Sequence, residues 1–295
     1  MRDIPFRETL TARQIKANSL VCVGLDPLVE RLPQSIEKDF PPTERFQVLM
    51  WMTKIGNATA EYASMFKMNR AHWEAIDRGV DILGMLISEM NMRHPDIPVF
   101  VDCKRGDIDR TQRQYREAHF TRDGADGINY NGYLGADALK DLVDPAHPGR
   151  ALVGLGRTSN PNAWHVQDRL LADGRQVWEA MVEDILAWSE DYGVLENAGV
   201  VMGAAHTDPR DPSKVFSSHL VRAREIVGDR MWLLIPGIGS QKEFVEETIR
   251  ATYAGPGSIA INSSSGIIFA SSGPDFAEAA GREAKKLRDL INQYR

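Results

Sequence analysis

The sequence predicts a (β/α)8 barrel, an α/β fold of the TIM type, on three observations. Eight short apolar runs recur along 295 residues, with helix-like stretches between them. Most of these runs do not alternate strictly between apolar and polar, so they read as strands covered on both faces, the mark of a parallel sheet. The chain length also matches the usual size of such a barrel. A doubly wound open sheet is the rival, but the G-x-G-x-x-G fingerprint that would follow its first strand is missing.

In chain order, the first strand is LVCVGL (20–25), followed by a Pro-containing stretch, 27–42, that reads as a long loop. The helical stretch ERFQVLMWMTKIGNATAEY leads to the second strand, YASMFKM (62–68), and PVFVDC (98–103), GINYN (127–131) and RALVGL (150–155) follow. A second clear helix, GRQVWEAMVEDILAWSEDYG, precedes the sixth strand, AGVVMGA (198–204), after which 205–219 reads as another long loop. MWLLIPG (231–237) and SIAINSS (258–264) complete the strands, and EAAGREAKKLRDLINQY has helical spacing at the end. No linker, repeat or low-complexity block divides the chain, so residues 1–295 are expected to form a single barrel domain.

Composition narrows the function. Hydrophobic residues make up 43% and charged residues 26%, enough for a sizeable core. The net charge of −6 and the lack of a basic stripe argue against a nucleic-acid partner. No apolar run reaches membrane-spanning length, and MRDIPFRETLTARQ lacks the apolar core of a signal peptide. Cys22 and Cys103 lie in strand-like runs and read as buried, reduced thiols. A cytoplasmic enzyme or binding protein is the expectation.

The stretch FVDCKRGDID (100–109) turns abruptly from apolar to charged. In a barrel, the C-terminal ends of the strands face the active site, so charge there lies where chemistry occurs. Asp102 and Lys104 are two apart and share a strand face, and Gly106 permits a tight turn before Asp107. Lys67 ends strand two in FKMN, and Asp26 ends strand one in GLDP. Adjacent strands lie about 4.8 Å apart, so Lys67, Asp102 and Lys104 can meet, with Asp107 nearby. Solvated rim salt bridges explain any one of these residues, but less well three consecutive charged strand ends. A Schiff base on Lys104 needs a neutral amine, which flanking carboxylates oppose. A divalent metal on Asp102 and Asp107 would be repelled by two lysines. An alternating Lys/Asp array that keeps Lys104 protonated and aims it at a developing carbanion suits decarboxylation followed by proton delivery.

These residues resemble orotidine 5′-phosphate decarboxylase. VGLDP (23–27), FKMN (66–69), DCKRGDI (102–108), RTSNP (157–161) and PGIGSQ (236–241) match its motifs in order across nearly the whole chain. The length and RTSNP look like the longer bacterial-type branch. The resemblance implies a homodimeric barrel that converts orotidine 5′-phosphate to UMP, the last step of de novo pyrimidine synthesis, with no metal and no organic cofactor. Lys67, Asp102, Lys104 and Asp107 would form its charged tetrad, with Lys104 donating the proton to C6 of the pyrimidine and Asp102 against the scissile carboxylate. Asp107, with Ile108 and Thr111, would reach into the partner subunit's site. Asp26 and Lys67 would touch ribose hydroxyls with support from Asn69, and Ser159 would recognise the pyrimidine from a closing loop, 156–175. Pro236, Gly239 and Gln241 would serve the phosphate after strand seven, and Ser265 and Gly266, in INSSSG, after strand eight. There the chain departs from the family, whose motif carries a phosphate-gripping arginine where this sequence has Ser265. Arg157 and Arg110 are the cations considered as substitutes.

The enzyme alternative is a Mg²⁺-dependent sugar-phosphate lyase or decarboxylase of the related barrel superfamily, against which Lys67 counts. A non-catalytic nucleotide-binding relative is the other, against which intact Asp102 and Lys104 count. His72, His119, His165 and His206 lack metal-ligand spacing and read as mostly surface or loop residues. Trp51, Trp178 and Trp188 fall in helical stretches and read as packing residues.

Overall fold

A computed structural model describes residues 4–39, 43–208, 211–238 and 244–295. The eight expected strands form a closed parallel barrel. They are β1 (Val21–Gly24), β2 (Met65–Asn69), β3 (Val99–Arg105), β4 (Gly127–Tyr130), β5 (Ala151–Arg157), β6 (Gly199–Met202), β9 (Trp232–Ile235) and β10 (Ile259–Ser263). Between β6 and β9 the chain inserts a small antiparallel pair, β7 (His206–Asp208) and β8 (Asp211–Phe216). The ring closes where Val21 of β1 lies beside Ile261 of β10.

Two apolar layers account for the nearly unbroken apolar character of the strands. One packs strand residues such as Val23, Phe66, Val101 and Ile128 against the surrounding helices. The other fills the barrel with Cys22, Met65, Phe100, Val153, Val201, Trp232 and Ala260. Inside the barrel Phe100 and Trp232 meet edge to face, with ring centroids 6.2 Å apart. Phe6 stacks on Trp232 at 5.3 Å. Phe6 belongs to the helix Phe6–Ala17, which the sequence reading did not assign. Gln14 of this helix donates to Ile259 O and accepts from the Gly257 N–H, each at 2.7 Å. The helix therefore closes the N-terminal end of the barrel. The bulky rings require small neighbours: a Cβ on Gly127 would lie 2.9 Å from the Phe100 ring, and one on Gly199 would lie 2.8 Å from Trp232.

The inward positions change character along each strand. Met65 gives way to Lys67 and Asn69, and Phe100 gives way to Asp102, as the two-residue period requires. The apolar plug thus sits at one end and the polar groups at the other. The two long loops are more ordered than the sequence suggested. Stretch 27–42 contains a 3₁₀ turn, Val29–Arg31, and a helix, Gln34–Asp39, while 205–219 holds the β7–β8 pair and the start of helix Ser218–Val227. Polar composition made both read as loop, because neither element has a long apolar face. The three helices read from spacing are present as Glu44–Thr59, Val177–Asp191 and Phe276–Ile291. Trp51 and Trp178 are buried in the first two of these.

Candidate active site

Three neighbouring strands bring their charged ends together. Lys67 Nζ lies 3.2 Å from Asp102 Oδ2 and 3.7 Å from Asp26 Oδ2. Lys104 Nζ lies 2.6 Å from Asp102 Oδ1. Asp102 is therefore clamped between two ammonium groups of different exposure: the Lys67 side chain is 4% exposed and that of Lys104 is 48% exposed. The first is part of the wall, and the second is open to the barrel mouth. Asp26 is held from the other side, where its Oδ1 accepts the Asn69 N–H at 2.6 Å. The Asn69 side chain caps helix Arg70–Glu74 by accepting from Ala71 N.

Electrostatics favour the charged forms. Burial alone would pull the Lys67 ammonium down, but the charges of Asp26 and Asp102 override it and hold it above its ordinary range. Burial would likewise raise Asp102, yet Lys67, Lys104 and hydrogen bonds from Lys104 and Asn129 hold it well below the usual carboxylate range. Burial pushes the thiols of Cys22 and Cys103 up to about 12, so neither is a nucleophile near neutral pH. Both cysteines are free and buried.

The β3 end is not a regular strand. Its register with β4 shifts between Val101 and Arg105, and Lys104 takes a left-handed backbone with φ of 48°. Asn129, which the sequence reading passed over inside an ordinary strand, donates from Nδ2 to Asp102 Oδ1 at 2.6 Å. Arg105, next to Lys104, donates to Glu74 at 2.6 Å. Behind it, Arg70 bonds Asp123 and reaches His119 Nδ1 at 3.1 Å. His119 is thus fully buried rather than a surface or loop residue, because the Arg70–Asp123 pair gives its ring polar partners.

Asp107 stands apart from the cluster. Its Oδ1 accepts the Ile108 N–H at 2.9 Å, and among the described residues it pairs with no lysine or arginine. Ile108 and Thr111 are exposed beside it.

On the far side of the barrel, Arg157 at the end of β5 forms a buried two-point pair with Asp168, at 2.8 and 3.0 Å. Thr158 and Gln167 exchange two further hydrogen bonds of 2.8 Å. These bonds tie together the two ends of segment 158–168. The exposed Ser159 lies there, against Gly203, where a Cβ would come within 2.9 Å of its Cα. Arg157 also lies over the Phe216 ring of β8 at 5.1 Å. The Arg157 guanidinium is thus paired with Asp168 on the wall of this segment. Arg110 is exposed on helix Asp109–Arg116.

Pro236 follows β9, and Ser265 and Gly266 open the short helix Ser265–Ile268 after β10, with Ser265 exposed. Gly239 and Gln241 lie outside the described residues. Among the described residues no three His, Cys, Asp or Glu side chains are grouped so as to hold a metal ion, and no helix is long and apolar enough to cross a membrane.

Residues 19–280 match the model of the orotidine 5′-phosphate decarboxylase / HUMPS family. The chain belongs to this family. It is 39% identical to an orotidine 5′-phosphate decarboxylase of Ralstonia nicotianae over 291 residues, covering 98% of this chain and 99% of the relative. It is 37% identical to one from Azoarcus sp. over 294 residues, with 98% and 99% covered. The Leishmania donovani OMP decarboxylase structure superposes with a TM-score of 0.76 at 28% identity, covering 99% of each chain. The family's likeness therefore spans the whole barrel, including the strand ends that carry Asp26, Lys67, Asp102 and Lys104.

Proposed function

We propose that the protein decarboxylates orotidine 5′-phosphate to UMP, serving pyrimidine synthesis, and that it does so with the Lys/Asp array alone. The observation that carries this reading is the position of Asp102, ionised between one buried ammonium and one open to the barrel mouth. Lys67 lies within 3.7 Å of both Asp26 and Asp102, so an ammonium already fills the space that a cation shared by these two carboxylates would take. With Lys104 also on Asp102, two ammonium groups balance the two carboxylates.

In this reading the substrate carboxylate at C6 faces Asp102, and their repulsion is relieved when the carboxylate departs as CO2. The electron pair left on C6 is stabilised by the Lys104 ammonium, which then donates its proton to C6 and is reprotonated from water. Lys67 keeps Asp102 charged and, with Asp26 and Asn69, serves the ribose. Ser159 serves the pyrimidine. Pro236, Gly239, Gln241, Ser265 and Gly266 serve the phosphate, whose binding energy lowers the barrier at the distant carbon. Asp107, Ile108 and Thr111 lie together on an exposed edge and complete the site of a second subunit in a homodimer.

The test is the loss of orotidine 5′-phosphate absorbance on adding purified protein, with and without EDTA. Equal turnover in both is expected. Activity abolished by EDTA and restored by Mg²⁺ would overturn the metal-free reading, and no turnover in either would overturn the function.

A further inference from the structure

Lys104 occupies backbone space that non-glycine residues rarely enter and in which they are strained. Something must hold it there, and the contacts identify one side chain. Asn129 Oδ1 accepts the N–H of Cys103 at 2.8 Å and that of Lys104 at 2.7 Å. Its Nδ2 donates to Asp102 Oδ1 at 2.6 Å, the same oxygen that receives the Lys104 ammonium at 2.6 Å. Asn129 is 1% exposed and sits on β4, the strand beside β3. One carboxamide thus grips three consecutive residues, Asp102, Cys103 and Lys104.

The chemistry of the grip is selective. The two backbone N–H groups require an acceptor, and the ionised carboxylate requires a donor. A primary amide offers both from one planar group, and its orientation is dictated by those partners. With Asn129 and Lys104 on Oδ1 and Lys67 on Oδ2, the Asp102 carboxylate is held on both oxygens. The bulge that turns Lys104 back toward Asp102 is fixed by the same amide.

Resting on the decarboxylase reading, we infer that Asn129 is a positioning residue: it holds Lys104 in its left-handed turn and aims the Lys104–Asp102 pair at the reacting carbon.

Three measurements test this, with the wild-type enzyme as the control that separates its failure from failure of the decarboxylase reading. In Asn129→Ala, kcat should fall on the order of 100-fold, the scale of a roughly 1 Å misplacement, while KM and UMP affinity change far less. A kcat near wild type overturns the inference, as does an equal loss in UMP binding. Asn129→Asp keeps an oxygen acceptor for both backbone N–H groups but sets a carboxylate against Asp102. Its activity relative to wild type should rise as the pH falls, because the introduced carboxyl, once protonated, can donate as the amide does. A pH profile parallel to wild type overturns the inference. The third readout needs no activity: a crystal structure of Asn129→Ala should show Lys104 returned to negative φ and its ammonium withdrawn from Asp102. An unchanged Lys104 overturns the inference.

Discussion

At the residue scale, Lys104 and Lys67 differ in exposure although both bond Asp102. A proton donor must reach the substrate, so the open lysine is assigned that role. Lys104→Ala should lower turnover by at least about a thousandfold, within the range for removing a general acid, while the melting temperature shifts by only a few degrees. Stopped assays on the purified variant check this, and an active variant sinks the assignment. Ser265 poses the opposite case, a missing cation. It is exposed at the start of its helix, so an arginine there has room, and Arg157 is already occupied by Asp168. Ser265→Arg should therefore lower KM for orotidine 5′-phosphate by about tenfold or more, since a hydrogen bond to a charged group contributes about 1.5–3 kcal/mol. Orotidine lacking the phosphate should gain little. An increase in KM would show that another cation already holds the phosphate.

At the element scale, the segment after β5 is closed on itself by the Arg157–Asp168 pair, and the β7–β8 hairpin packs Phe216 against the same guanidinium. Removing one partner leaves a buried charge alone. Asp168→Ala should destabilise the protein by about 3–5 kcal/mol and expose segment 158–176 to limited proteolysis. Denaturant titration and mapping of the first cleavage sites provide the check; cleavage elsewhere with unchanged stability would show that the clamp is dispensable.

At the scale of the whole molecule, pH and assembly are the accessible variables. Burial pushes His219 down to about 3, and its Nε2 is 2.8 Å from Gly203 O. Its free value is near 6.5, so below that pH the unfolded chain binds the proton more readily than the fold does. Stability should then rise with pH, and be lost as the pH falls from about 6.5 toward 3. Burial lowers His119 and His94 in the same direction. Asp102, whose value is depressed, loses its contribution only below about pH 4, as the pH falls past its free value. His219→Gln should remove close to one proton from the slope of unfolding free energy against pH between about 6 and 4, measured by denaturant titration at several pH values. An unchanged slope rejects the assignment. Assembly is tested by mixing inactive Lys104→Ala subunits with inactive Asp107→Ala subunits. A hybrid dimer would hold one site with both groups, so some activity should return; none, with hybrids shown to form, would count against shared sites.

The apolar runs, their spacing and the charged strand ends were legible because each follows from local rules: a two-residue period, the helical period and the placement of charge where a strand leaves the core. Asp26, Lys67, Asp102 and Lys104 stand out in the sequence alone. Asn129 does not, because nothing in GINYN distinguishes a buried amide that grips the next strand from one that merely ends its own. Nor does the engagement of Arg157 by Asp168, the burial of His119, or the helix Phe6–Ala17 that plugs the barrel, since each depends on which side chain arrives from a distant part of the chain. Local periodicity determines strands and their faces. Only closure of the barrel decides which neighbour meets which, and the left-handed turn at Lys104 exists because β4 brings an amide to it.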